Sequence, residues 1–128
     1  MSDQSLVRYQ QEWAYQKYWV MAHSQQIYQQ LRLLFRYNDW SSEKADQFNV
    51  LIQEAESLEP NLKTLRVAYQ HVWGYFKKIA SSEEKAYFKE LDEALVSRQD
   101  DMLYFLQEMT SCYQPPYLLN CRLMTKGL

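Results

Sequence analysis

Apolar residues recur at intervals of three and four along most of this chain, the spacing that places them on one side of an α-helix. The repeat is clearest over residues 60–79. Turned at about 100° per residue, Leu62, Leu65, Ala68, Tyr69, Val72, Phe76 and Ile79 share one face, with Trp73 and Tyr75 at its edges. Lys63, Arg66, Gln70, Gly74 and Lys77 occupy the opposite face, and His71 and Lys78 lie on its flank. No two segments alternate apolar and polar residues as facing strands do. Helix breakers are confined to Pro60, Gly74, Pro115, Pro116 and Gly127, while Gln, Glu, Lys, Leu and Ala are plentiful, which favours helix almost throughout.

Capping residues, whose side chains satisfy the free N–H groups that open a helix, divide this material. A first helix is expected from about Gln4 to Ala22, and a second from the N-cap Ser24 to near Tyr37, before the turn Asn38-Asp39. Ser41 or Ser42 opens a third that continues to about Leu58. Pro60 suits the first position of a fourth, where its missing N–H costs nothing, and that helix is expected to reach Ile79 or Ala80. Ser81 and Glu84 make the capping box of a fifth running to Ser97 or Arg98, and a sixth spans about Asp100 to Cys112. The stretch Tyr113-Gln114-Pro115-Pro116-Tyr117 must then leave helix for an extended tail. The predicted fold is all-α, an irregular bundle of about six helices with antiparallel neighbours, because the loops are short.

At 128 residues, 47% hydrophobic and 16% aromatic, the chain has the apolar material for one core and is read as a single domain over residues 1–128. Runs such as Trp19-Val20-Met21-Ala22 and Leu33-Leu34-Phe35 fall far short of the roughly 18 residues that a membrane span needs, so no membrane partner is expected. The opening residues lack the apolar core of a secretory signal. Cys112 and Cys121, the two cysteines, are expected as reduced thiols of a cytoplasmic protein, although a bridge between them is geometrically possible. Two thiols alone make neither a structural zinc site nor an iron–sulfur site, and no cofactor is expected.

The net charge of −2 hides segregation: residues 1–37 carry +2, 38–59 carry −5, 60–79 carry +4, 80–101 carry −4 and 102–128 carry +1. The basic block contains no acid. Its Gly74 lies on the polar face, where glycine costs about 0.5–1 kcal/mol relative to alanine, so an offsetting reason is expected. One reason is close approach of a phosphate backbone, matched by Lys63, Arg66 and Lys77 at helical spacing. The other is a helix–helix crossing at Gly74, with the lysines merely solvated.

Two blocks carry a resemblance. Residues 17–31, KYWVMAHSQQIYQQL, and residues 71–91, HVWGYFKKIASSEEKAYFKEL, resemble the signature blocks of the YbgA family, a helical domain of unknown function. The matching positions are Lys17, Met21, Ala22, His23, Ser24 and Tyr28, then His71, Gly74, Tyr75, Phe76, Lys77, Lys78, Ser81, Glu84 and Lys85. Domains of this family occur alone and also fused behind an iron–sulfur desulfidase domain that removes sulfur from thiouracil groups. In such fusions, which resemble 4-thiouridine tRNA desulfidases, the helical part is thought to hold the tRNA. The resemblance therefore implies tRNA or another structured RNA as ligand, and a separate desulfidase protein as partner, because this chain has no desulfidase domain. The chain departs from the family pattern at Trp13 and Gln16, where histidines are usual, and again at Arg98-Gln99-Asp100-Asp101 and in its ending.

His23 and His71 could form an acid–base pair or supply two metal ligands, but no helical spacing provides a third. Their simpler roles are hydrogen bonds to helix carbonyls and at a bundle edge. No nucleophile-elbow, phosphate-loop or dinucleotide motif is present, so no catalytic residue is assigned. The tyrosines and tryptophans of residues 9–37 belong mostly to the core or its rim, although one or two rings beside Lys17 or Lys77 could stack on unpaired bases. The expected RNA surface comprises Lys17, His23, Tyr28, Lys63, Arg66, His71, Gly74, Tyr75, Lys77 and Lys78. The competing readings are a protein-interaction or structural module, and an enzyme that would need a bound metal or small molecule.

Overall fold

Ser24, Ser41 and Ser81 each accept a hydrogen bond from the backbone N–H three residues on, so the caps read from sequence do open helices. The computed structural model describes residues 3–128. Its long helices are α1 (Asp3–His23), α2 (Gln25–Leu34), α3 (Ser42–Glu56), α4 (Leu62–Trp73), α5 (Ser82–Glu93) and α6 (Gln99–Tyr113). Two short ones follow, α7 (Pro116–Leu119) and α8 (Arg122–Lys126). No strand occurs among the described residues.

Helix α2 stops at Leu34, short of Tyr37, because the chain leaves the helix through a 3₁₀ turn over Arg36–Asn38 in which Tyr37 and Asn38 take positive φ. Pro60 lies outside α4. Asn61 caps that helix, accepting the Thr64 N–H at 2.9 Å while its own N–H donates to the Thr64 hydroxyl at 3.0 Å. The expected single helix to Ile79 or Ala80 is corrected too: α4 ends at Trp73, and residues 74–80 continue as irregular turns. Phe76 and Ala80 stay buried, but Ile79, expected on the core face, is 58% exposed.

The extended tail is the third correction. Gln114 adopts a left-handed conformation at φ 54°, the two prolines begin α7, and the chain folds back so that Leu118, Cys121, Leu123 and Met124 are buried. The tail needs the surfaces of α1 and α6, which it touches through α8, and no local signal carries that information. α1 is the hub, packed by α2, α3, α4 and α8, while α6 joins α4, α5, α7 and α8. Residues 18–23 are all buried. A helix covered on every side needs no polar stripe, which is why this segment shows little amphipathic pattern. No helix among the described residues is long and apolar enough to cross a membrane.

Candidate functional site: an open basic strip and a tyrosine cluster

The polar side of α4 is open. Lys63, Gln70, His71, Gly74, Lys77 and Lys78 are all exposed, and none of the three lysines forms an ion pair with another described residue. Arg66 differs. Its guanidinium donates to the Asp92 carbonyl at 3.0 Å, and its Nε faces the Asp92 carboxylate at 3.4 Å, near enough for an ion pair but outside hydrogen-bond geometry. Arg66 therefore ties α4 to the end of α5, and its charge is spoken for.

Gly74 caps α4 with helical dihedrals, φ −53° and ψ −25°, so it is not there to reach a left-handed conformation. A Cβ at this position would meet the His71 carbonyl oxygen at 3.1 Å and the Gln70 carbonyl oxygen at 3.8 Å. Both belong to its own preceding turn. Among the described residues no other helix comes within 4 Å of that Cβ, which removes the crossing account of the glycine and leaves the surface above it uncovered. His71 donates from Nδ1 to the Val67 carbonyl at 2.9 Å, a bond within its own helix.

Across the α1–α2 hairpin a second group assembles. The chain reverses at Ser24, and Trp13 of α1 packs against Tyr28 and Phe35 with ring centroids 5.6 and 6.3 Å apart, so α2 returns along α1. Lys17, one turn on from Trp13, is thereby brought to the side of the hairpin that carries Tyr28 and Arg32. Lys17 is half-buried; burial lowers its pKa first, and the like charge of Arg32 lowers it further. Arg32 bonds only to Gln29 of its own helix, at 3.3 Å. Neither cation has a carboxylate partner among the described residues.

Tyr28 lies one turn before Arg32. Burial raises its pKa, the Arg32 charge pulls the other way, and the Tyr75 hydroxyl adds to the rise. Tyr75 comes from the turns after α4, and its hydroxyl bonds the Tyr18 hydroxyl at 2.7 Å with the rings edge to face. Burial and then this bond push Tyr18 far above the ordinary phenol value, so it remains protonated. The structure thus brings Lys17, Tyr28 and Tyr75 together and adds two residues that the sequence did not single out, Tyr18 and Arg32. Pairing positions about Ser24 would have pointed to Arg32, but they were not paired at the level of sequence.

His23 belongs elsewhere. It is 6% exposed, stacked on Trp19 with centroids 3.7 Å apart, and its Nδ1 bonds the Trp19 carbonyl at 2.8 Å. A carbonyl only accepts, so Nδ1 carries the hydrogen. Burial is the main cause of a lowered pKa; the Trp19 bond opposes it and the Arg122 guanidinium supports it. Arg122 itself lies over Trp19 at 3.7 Å and bonds Gln16 at 2.8 Å and Glu56 at 2.9 Å. His23 is thus held in the core under the chain's last helix, while His71 is on the surface. As the sequence suggested for the simpler role, each histidine answers a helix carbonyl. No group of three or more His, Cys, Asp or Glu among the described residues is arranged to hold a metal ion.

A family model described as a protein of unknown function, DUF1722, matches residues 17–126. No curated protein and no solved structure matches the chain.

Proposed function

This chain belongs to the DUF1722 family, proteins of unknown function, and from that premise we propose that it is a YbgA-type helical module that binds structured RNA, with tRNA as the favoured ligand. The observation that carries the reading is the open run of exposed lysines Lys63, Lys77 and Lys78 around an uncovered Gly74, in a segment, residues 60–79, that itself contains no acid. Three solvated cations with no ion-pair partner among the described residues offer a phosphate backbone ion pairs without giving up one of their own. Arg66 supports the strip by anchoring α4 and contributes less to the ligand than the lysines do. The resemblance of residues 17–31 and 71–91 to a family found beside thiouracil desulfidases adds the context, an accessory of thiolated-nucleotide metabolism.

Filter binding of tRNA at several salt concentrations tests the reading. If about four phosphates are neutralised, affinity falls roughly a hundredfold between about 50 and 200 mM salt. Lys77→Glu combined with Lys78→Glu abolishes the complex without lowering thermal stability. Absence of tRNA binding at low salt ends the proposal. The alternative, an interaction module seated on a separate desulfidase protein, predicts instead a complex that survives nuclease treatment.

A further inference from the structure

Lys17 and Arg32 pose an electrostatic problem that the fold leaves unsolved. Lys17 has surrendered part of its hydration, feels the charge of a second cation, and has no carboxylate partner among the described residues. Arg32 is exposed and solvated, so the cost falls on Lys17, a half-buried cation with a like charge on the neighbouring helix and no counter-charge among the described residues. The groups around them are donors. The Tyr28 hydroxyl has no protein partner among the described residues, and the Tyr18–Tyr75 pair has two hydroxyl hydrogens but uses only one between its members. Tyr18 and Tyr28 are both kept protonated by burial, so they add no negative charge that would repel an anion.

We infer that Lys17 and Arg32, with the hydroxyls of Tyr28, Tyr18 and Tyr75, form a site for a phosphate monoester, either the terminal phosphate of an RNA strand or that of a mononucleotide. Charge chooses the monoester. A terminal phosphate carries about −1.5 to −2 at neutral pH and three strong acceptor oxygens, which matches two cations and the free hydroxyl hydrogens. An internal phosphodiester carries a single charge and leaves one cation uncompensated. In its RNA form the inference rests on the proposed function above and sharpens it: the basic strip of α4 holds backbone, and the hairpin cluster reads an end.

The test is calorimetric titration of the full chain with three probes: a short RNA bearing a 5′-phosphate, the same RNA with a 5′-hydroxyl, and adenosine 5′-monophosphate. The 5′-phosphate is expected to tighten RNA binding at least tenfold. Lys17→Met and Arg32→Gln each bring the ratio of 5′-phosphate to 5′-hydroxyl affinity to within about threefold of one. Lys77→Glu with Lys78→Glu weakens both RNAs alike. Arg32 is exposed, so its variant keeps the test valid even if Lys17→Met fails to fold. If adenosine 5′-monophosphate binds through Lys17 and Arg32 while neither RNA binds, the monoester site stands and the RNA reading falls. If both RNAs bind equally and the mononucleotide does not bind, the site is refuted and the RNA reading survives.

Discussion

Burial has decided the protonation state of His23. Its pKa lies below the ordinary 6.5, mainly because the ring is desolvated, whereas in the unfolded chain the ring takes up a proton near that ordinary value. Between the two values the unfolded state binds more protons than the folded one, so stability falls as pH drops below about 6.5. The melting temperature should therefore decline on acidification from pH 7 to 5.5. His23→Asn, which keeps a donor near the position of Nδ1, should flatten that decline. Arg66 and Lys63 form a second contrast at this scale. Both were read as phosphate ligands, yet only Arg66 has an internal partner. Arg66→Ala is expected to cost up to about 1 kcal/mol, small because the pair is partly solvated, while Lys63→Ala leaves stability unchanged and weakens RNA binding. Sequence spacing puts both residues on one face, but whether a carboxylate reaches that face depends on how α5 folds back, which α4 alone does not encode.

The serine-capped helix beginnings were legible, whereas the Asn61 cap of α4 and the ends of α2, α4 and α5, the last at Glu93 and not Ser97 or Arg98, were not. A cap is a contact between residues three apart, so Ser81 and Glu84 announce themselves: the Ser81 hydroxyl accepts the Glu84 N–H at 3.1 Å, and the Glu84 carboxylate accepts the Ser81 N–H at 2.8 Å. Ser81→Ala should cost about 1 kcal/mol, or a few degrees in a melting curve. Glu84 also accepts the Tyr113 hydroxyl at 2.6 Å, joining the start of α5 to the end of α6 through a bond that no local pattern shows. The end of α4 was misread because residues 74–80 keep near-helical bonds, such as Ala80 N–H to the Phe76 carbonyl at 2.8 Å, so the apolar spacing persists through Phe76 and Ala80 after the regular helix has ceased. Gly74→Ala tests what the glycine does there. With compatible dihedrals and only a tight carbonyl contact, the change should alter stability by less than about 1 kcal/mol in either direction. A loss of RNA affinity at unchanged stability would then report close approach of the ligand.

Closure of the bundle is the feature that a local reading could not reach. The predicted tail is a buried strap, and its Arg122 is the clasp, gripping Gln16 of α1 and Glu56 of α3 while covering Trp19. Cys121, next to it, is buried, and burial raises its thiol pKa, whereas Cys112 is exposed. A thiol reagent should therefore label one cysteine rapidly in the native protein and the second only in denaturant. Arg122→Ala should make the second reactive without denaturant, by loosening the strap. The all-α class, the six long helices and the exposure of Lys63, Lys77 and Lys78 follow from periodicity and composition, whereas α7, α8 and the partner of Arg66 do not. The hairpin cluster and the strap depend on which surfaces meet, and so emerge only in three dimensions.

The same clasp constrains how the molecule comes into being. Trp19 and Arg122 are about a hundred positions apart, so during synthesis the side of α1 that α8 covers stays open until α8 has left the ribosome. Helix pairs such as α1–α2 and α5–α6 can dock early. The core around Trp19 is sealed only when α8 arrives, and until then that side of the first helix is a target for chaperones.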